Sequence, residues 1–218
     1  SNPKGVTPPV LSRHEGERKA AEGARRLPSR LQHNFYVVKT PQREGFKLLK
    51  LVQLQRALTH KRRPRGEMLR EDVTTLLVFI NDPTQISDMV YTLRTEHGLN
   101  VRGLGARSTR EHYDAILKEL ADGQLDVLVA TDVLARGMDM FGVTDVVNYD
   151  LPRSANMYLH RAGRAGRLKG KFSHQSHVVS FCDPDTDDKQ YVTDIVKSFD
   201  NTDIKRLWIS DRRVIYGT

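Results

Sequence analysis

Arginine recurs at every third position within residues 160–167, which read HRAGRAGR. The guanidinium group stays charged at physiological pH, and its planar fork matches the oxygens of a phosphate group. The intervening glycines remove side chains and allow a phosphate or another backbone to approach closely. At a helix start or in a turn, this spacing directs the three guanidiniums of Arg161, Arg164 and Arg167 toward one side. A solvated basic turn is the plainer alternative, but lysine would serve equally well there.

A second polar run, TDVLARGMD at residues 131–139, directly follows the apolar run Val127–Ala130. The apolar run is typical of a strand buried on both faces. In open parallel α/β sheets, ligands bind beyond the carboxyl ends of the strands. The chemistry is therefore expected just after each predicted strand, at Asn81, Gly105, Thr131 and Asp150.

These two runs resemble motifs V (ATDxxARGxD) and VI (HRxGRxGR) of the DEAD-box RNA helicases. Both motifs match at every defining position and occur in the family's order. The resemblance covers roughly residues 30–200 and indicates the second, C-terminal RecA-like domain of such a helicase. It implies local strand separation of RNA, driven by closure of two domains on ATP and RNA.

The resemblance implies ATP with Mg²⁺ as the cofactor, with the metal held mainly by the first RecA-like domain. Arg164 and Arg167 look like the arginine fingers that reach the γ-phosphate, and such fingers stabilise charge in the transition state. His160 resembles the residue that couples nucleotide state to the first domain. Asp139 corresponds to a ligand of the ATP ribose, and Gly137 lies beside it in the cofactor-binding segment.

The segments that the family uses to bind RNA are altered in this chain. Motif IV keeps Asn81 but has Asp82 where the family has threonine. The family's Gln and Arg of the next motif fall at Arg110 and Tyr113. Tyr113 is expected to pack toward the core, which leaves the phosphate contact to Arg107 or Arg110. The residues predicted to bind RNA are Asn81, Arg107, Arg110, Thr131 and Arg136.

The sequence contains neither G-x-x-x-x-G-K-[ST] nor Asp-Glu-Ala-Asp. The first pattern cradles nucleotide phosphates. The chain is therefore expected to supply half of an active site and to be inactive alone. Because it begins with Ser1, it is interpreted as a processed chain or a fragment. His174, His177 and Cys182 fit no standard zinc spacing, so no metal site is predicted.

Apolar runs alternate with helical periods of three and four residues along the chain, which favours a doubly wound, mainly parallel α/β sheet flanked by helices. Residues 1–30 are predicted to be a basic tail or linker, residues 31–200 the helicase domain and residues 201–218 an extension. Residues 59–72 are expected to form an exposed basic loop. The predicted strands are 35–38, 76–80, 101–104, 127–130, 146–149 and 178–181, and the predicted helices cover 42–58, 86–93, 113–121 and 192–199.

Charge is distributed unevenly over the 218 residues, whose formal net charge is +8. Residues 1–70 hold 17 Lys and Arg against 5 Asp and Glu, whereas the remainder is slightly acidic. A basic arm favours an anionic partner such as nucleic acid, or is simply a solvated tail. One cysteine and no apolar stretch of membrane-spanning length favour a soluble protein in a reducing intracellular compartment.

Two further functions remain open from the sequence. A non-enzymatic RNA–protein assembly factor would keep the fold and use the basic arm and altered clamp for docking. The complete motif VI favours the enzyme, and Asp82 favours the assembly factor. A related helicase acting on DNA is the third option, which His160 disfavours. The expected partners are RNA, the first RecA-like domain of the same protein and ribonucleoprotein components, with no membrane.

Overall fold

One eight-stranded sheet organises the chain in the computed structural model, which describes residues 31–38, 45–62, 74–105, 108–132, 140–166, 175–183, 185–199, 205–210 and 213–216. Its strands are β1 (Leu31–Val37), β2 (Leu76–Phe79), β3 (Val101–Leu104), β4 (Val127–Ala130), β5 (Asp145–Asn148), β6 (Ser176–Cys182), β7 (Lys205–Ser210) and β8 (Arg213–Tyr216). They lie in the order β3-β4-β2-β5-β6-β1-β7-β8. From β3 to β1 in this order, each strand is parallel to its neighbours. Strand β7 is parallel to β1, and β8 is antiparallel to β7.

Helices cover both faces of this sheet. They are α1 (Phe46–Arg62), α2 (Ile86–Thr95), α3 (Arg110–Ala121), α4 (Ala155–Ala162) and α5 (Asp188–Lys197), and a short 3-10 helix covers Pro83–Gln85. Alternate strand residues enter two separate cores, one under α1 and α2 and the other under α3, α4 and α5. The predicted doubly wound, mainly parallel α/β architecture is confirmed. No helix in the described part of the chain is both long and apolar enough to cross a membrane.

Two side-chain caps fix where the helices next to the predicted motifs begin. Thr109 Oγ1 accepts a hydrogen bond from His112 N at 3.3 Å and starts α3. Ser154 Oγ accepts one from Met157 N at 3.2 Å and starts α4. Such caps satisfy backbone donors that a helix start leaves unpaired. They set the rotation of each helix and so decide which of its residues face the core.

Several element boundaries differ from the expectation; β1 begins at Leu31 rather than at residue 35, and α3 begins at Arg110 rather than at residue 113. Residues 59–62 belong to α1 rather than to a loop, because lysine and arginine are good helix formers and Gln55 Nε2 donates to Thr59 Oγ1 at 3.1 Å. Within residues 201–218, β7 and β8 extend the sheet past β1. The predicted tail at residues 1–30 and the rest of the expected basic loop, residues 63–72, lie outside the described residues.

Candidate functional site

Polar residues that follow three neighbouring strands meet at one edge of the sheet. Asn81 follows β2, Asp132 follows β4 and Asp150 follows β5. Asn81 N donates to Asp150 Oδ2 at 2.8 Å, and Asn81 Nδ2 donates to the Leu151 carbonyl at 3.1 Å. Two of the four residues singled out after the predicted strands, Asn81 and Asp150, are thus in direct contact at this edge.

Arg161 lies at the centre of these residues, with only 1% of its surface exposed. Its Nε donates to Asp132 Oδ1 at 2.8 Å, and its Nη2 donates to Asp132 Oδ2 at 2.7 Å. This two-pronged geometry is the strongest form of an arginine–carboxylate pair. The Asp132 side chain is 18% exposed, so the pair lies largely out of water.

The remaining guanidinium hydrogens of Arg161 bind three other groups. Nη2 also donates to Asn81 Oδ1 at 2.9 Å, and Nη1 donates to the Asp150 carbonyl at 2.7 Å and to Asn148 Oδ1 at 3.2 Å. The Cζ atom lies 4.9 Å from the centre of the Phe79 ring. One side chain thus ties together the ends of β2, β4 and β5; we call Asn81, Asp132, Asn148, Asp150 and Arg161 the Arg161 hub.

The expectation that Arg161 projects outward from a helix start or a turn is wrong. Helix α4 begins at Ala155, which places Arg161 in its last turn on the same buried face as Tyr158 and Ala162. Arg164 comes after the helix has ended. A helix buries residues three and four positions apart together, so the cap at the start of α4 sends Arg161 inward.

Arg164 lies half-buried in the turn that follows α4, and His160 is exposed four residues before it. The turn is held by two bonds, from Arg164 N to the Arg161 carbonyl and from Ala165 N to the Ala162 carbonyl, both at 3.0 Å. Gly166 closes it with φ of +68°, and a Cβ there would lie 3.2 Å from Ser176 Oγ. Arginine is a residue type that binds phosphate well, and Arg164 keeps part of its surface accessible. Arg167, Gly137 and Asp139 lie outside the described residues.

The predicted RNA-binding residues are placed differently from one another. Arg110 is exposed at the first position of α3, whereas Thr131 is buried at the end of β4. Both polar ends of the Asn81 amide are occupied, by Arg161 and by the Leu151 carbonyl. Tyr113 packs against the core, as expected. Arg107 and Arg136 lie outside the described residues, and RNA contacts by this set remain predictions.

Asp82, the departure from the family's motif IV, has a local structural use. Its Oδ1 accepts hydrogen bonds from Thr84 N at 2.9 Å and Thr84 Oγ1 at 2.6 Å, and so caps the 3-10 helix. These bonds lower the pKa of this exposed carboxyl below its usual range. Motif IV therefore carries a negative charge at the carboxyl-end edge of the sheet.

Sequence reasoning missed Lys47, which belongs to α1. Its Nζ donates to Asp150 Oδ1 at 2.9 Å and lies 4.5 Å from the centre of the Tyr149 ring. Asp150 thus accepts from Asn81 through one oxygen and from Lys47 through the other. Asp132 was also missed as the partner of Arg161, although it stands inside the motif V run. Nothing in the sequence around Lys47 signals its role.

The chain is similar to several known proteins. The family described as "Helicase conserved C-terminal domain" matches residues 54–169, more than half of the chain. The ATP-dependent RNA helicase RhlB of Xanthomonas axonopodis pv. citri is 39% identical over 116 residues, which cover 53% of this chain and 19% of RhlB. The ATP-dependent RNA helicase eIF4A of Candida albicans is 37% identical over 99 residues, 45% of this chain and 25% of that protein.

Solved structures show the same fold. S. cerevisiae Dbp5 bound to RNA and ADP BeF3 aligns with a TM-score of 0.61 at 26% identity, over 83% of this chain and 42% of that chain. E. coli SrmB, a DEAD-box protein bound to the regulator of ribonuclease activity A, aligns with a TM-score of 0.60 at 26% identity, over 82% of this chain and 91% of that chain.

The six-stranded parallel core with helices on both faces is a RecA-like α/β domain. More specifically, the chain belongs to the helicase conserved C-terminal domain family, as found in the DEAD-box ATP-dependent RNA helicases. The matched region spans about a fifth of the length of RhlB and a quarter of the length of eIF4A.

Proposed function

We propose that this chain acts as the second RecA-like domain of an ATP-dependent RNA helicase that unwinds RNA or remodels ribonucleoprotein. The Arg161 hub carries the proposal. It fixes motifs IV, V and VI to one another through Asn81, Asp132 and Arg161 while leaving Arg164 in the turn beyond α4. An arrangement that fixes three motifs to one another at the carboxyl ends of parallel strands is suited to acting on a ligand there.

ATP is the proposed cofactor, and the arginines of motif VI are of the residue type that binds its phosphates. When bound, ATP supplies the phosphoanhydride bond whose cleavage drives the cycle, with Mg²⁺ held mainly by the first RecA-like domain. Arg164 and Arg167 would contact the γ-phosphate and spread its developing charge. Asp139 and Gly137 would hold the nucleoside side, and His160 would report nucleotide state to the first domain.

RNA is the proposed substrate, bound through the carboxyl-end edge of the sheet and the start of α3. Arg110 is exposed at the first turn of α3, where backbone N–H groups and the helix dipole favour a phosphate. Arg107, Thr131 and Arg136 would complete the contact, with Asn81 acting next to them. The similarity to Dbp5, whose structure contains RNA and ADP BeF3, supports the same pair of ligands here.

Turnover by the full-length protein tests this assignment. Arg164→Ala and Arg167→Ala should each lower kcat by about a hundred-fold or more, while the affinities for ATP and RNA change much less, because the fingers act on the transition state. Arg153→Ala is the matched control, since Arg153 is exposed just before α4. A near-normal kcat in both finger variants would contradict the proposal.

The assembly-factor function retains one observation in its favour. The Asp82 carboxylate puts a negative charge at motif IV, which weakens a grip on RNA phosphates. If this function is the right one, the full-length protein should bind RNA without RNA-stimulated ATP hydrolysis. Partners from ribonucleoprotein would then dock on the domain, and the Arg164→Ala variant would assemble as well as the wild type.

A further inference from the structure

A groove of about 840 Å³ runs along β3, the terminal strand of the sheet, between α2 and α3. It lies outside the Arg161 hub and outside the turn that holds Arg164. Helix α2 comes close to the strand here because Gly103 has no side chain: a Cβ would lie 2.5 Å from Ile86 Cγ2. We call this feature the β3 groove; its polar lining includes Ser87, Arg94, Arg102, Ser108 and His112.

The lining of the β3 groove carries two arginines and a histidine, and the carboxylates of Asp82 and Glu119 lie just outside it. Among the described residues that line it, none is aspartate or glutamate. Arg102 forms a two-pronged pair with Glu119 of α3: its Nε donates to Oε2 at 2.9 Å and its Nη2 donates to Oε1 at 2.7 Å. Arg94 is exposed on α2, and its side chain forms no hydrogen bond or ion pair with the described residues. Its charge, with those of Arg102 and His112, lowers the pKa of Glu119, Arg102 having the largest effect.

The backbone of β3 is poorly prepared for pairing with another strand. The Gly103 carbonyl accepts a hydrogen bond from His112 Nε2 at 3.2 Å, and Gly105 N donates to Ser108 Oγ at 3.1 Å. A peptide that added a strand to this edge would need such groups for its own ladder. The groove instead offers side-chain cations and hydroxyls, which recognise an anion.

The β3 groove is continuous with the predicted RNA clamp. Ser108 and Thr109 line it, and the next residue is Arg110, the first residue of α3. A strand of RNA held at Arg110 therefore has the groove directly beside it. The groove's volume is that of an ordinary ligand pocket and is large enough for part of a nucleic-acid strand.

We infer that the β3 groove binds the phosphate backbone of single-stranded RNA where the strand continues past the clamp, with Arg94 as the principal contact. This inference rests on the proposed RNA-binding function. It adds a second, sequence-independent RNA subsite on the outer edge of the domain. Backbone contacts of this kind lengthen the bound RNA without specifying its bases.

The test compares two single-stranded RNAs of about six and about twelve nucleotides, within the usual range of site sizes. Binding of this chain to each is measured by fluorescence anisotropy at several salt concentrations. Arg94→Glu should weaken binding of the longer RNA by about ten-fold and lower its salt slope by about 0.7, because it loses one phosphate contact on a single strand. The shorter RNA, which fills only the clamp, should bind nearly as before.

Lys197→Glu is the matched control, because Lys197 is exposed on α5 and that helix packs against β6, away from β3. Equal losses in the Arg94 and Lys197 variants, or equal losses for both RNA lengths, would overturn the groove assignment while leaving RNA binding intact. If Arg94→Glu abolished binding of an acidic peptide but left RNA binding unchanged, the groove would be a protein docking site, which would also overturn the assignment. Absence of RNA binding in the wild type would overturn both the inference and the proposed function.

Discussion

Arg161 and Arg94 show how one type of side chain serves two different purposes in this domain. Arg161 is 1% exposed, and each nitrogen of its guanidinium donates at least one hydrogen bond within the hub. Arg94 is exposed at the β3 groove and has no such partners among the described residues. The first arginine organises the domain, and the second is available to a ligand.

Burial accounts for the difference. Removing a charge from water costs several kcal/mol unless a partner and further hydrogen bonds compensate, so Arg161 is retained only with its complete set of acceptors. An exposed charge keeps its hydration and needs no partner, so Arg94 can exchange water for phosphate at little cost to folding. Each arginine of a basic motif therefore has to be assigned separately, either to a structural role in the core or to contact with a ligand.

Removal of the buried arginine, Arg161, is expected to have the largest effect on stability. Arg161→Ala should lower the free energy of unfolding of this chain by about 3–5 kcal/mol, because it leaves Asp132 without its buried partner. Urea denaturation measures the change. Arg161→Lys should recover little, since an ammonium group lacks the planar fork. The control, Arg94→Ala, should stay within about 0.5 kcal/mol of the wild type.

His33 is a second buried titratable side chain, and unlike Arg161 it has no ionic partner among the described residues. It is 4% exposed, its Nδ1 lies 2.9 Å from Tyr158 Oη, and its Nε2 has no hydrogen-bond partner in the described structure. Burial lowers the pKa of His33 to about 4. The unfolded chain takes up this proton near pH 6.5, whereas the native state does so only near pH 4, so protons favour unfolding in between.

The free energy of unfolding should therefore fall as the pH drops from about 6.5 toward 4, with His33 contributing up to about 1.4 kcal/mol per pH unit. Urea denaturation at several pH values should show a shallower decline in the His33→Phe variant. An identical pH slope in the two proteins would mean that His33 is protonated in the native state over this range.

A smaller effect separates the two positions of the altered clamp. Arg110→Ala should weaken RNA binding by about ten-fold or more, the value of one charge-assisted hydrogen bond of roughly 1.5–3 kcal/mol, without a change in stability. Tyr113→Ala should instead lower the free energy of unfolding by about 2 kcal/mol, because it removes a packed aromatic side chain. RNA binding and thermal denaturation of both variants measure the difference, and the reverse pattern would show that the clamp was placed wrongly.

The sheet and the location of the site were predictable because both follow from local rules. Buried parallel strands appear in the sequence as apolar runs such as Val127–Ala130, and the predicted and observed bounds of that strand agree. The residues that follow such strands must lie at one edge, which brought Asn81 and Asp150 into consideration together. The end of α1 was predicted four residues too early, because its last turn is polar and carries no apolar period.

The direction of each arginine was not predictable from its spacing. Three residues apart is compatible with one face of a helix or with a helix followed by a turn, and the Ser154 cap decides between them. Lys47 was also out of reach, since its contact with Asp150 joins residues 103 positions apart in the sequence. Contacts of this kind depend on how the helices pack on the sheet, and a single sequence carries no local sign of them.

The central claim is that Arg161 and Asp132 hold motifs V and VI together as a buried pair. A double-mutant cycle with Arg161→Met, Asp132→Asn and the combined variant tests it most directly, with the free energy of unfolding as the measurement. A buried ion pair of this kind should give a coupling energy of roughly 2–3 kcal/mol, the upper part of the range for residues in one ion-pair network. A coupling energy below about 0.5 kcal/mol, as found for independent sites, would contradict it.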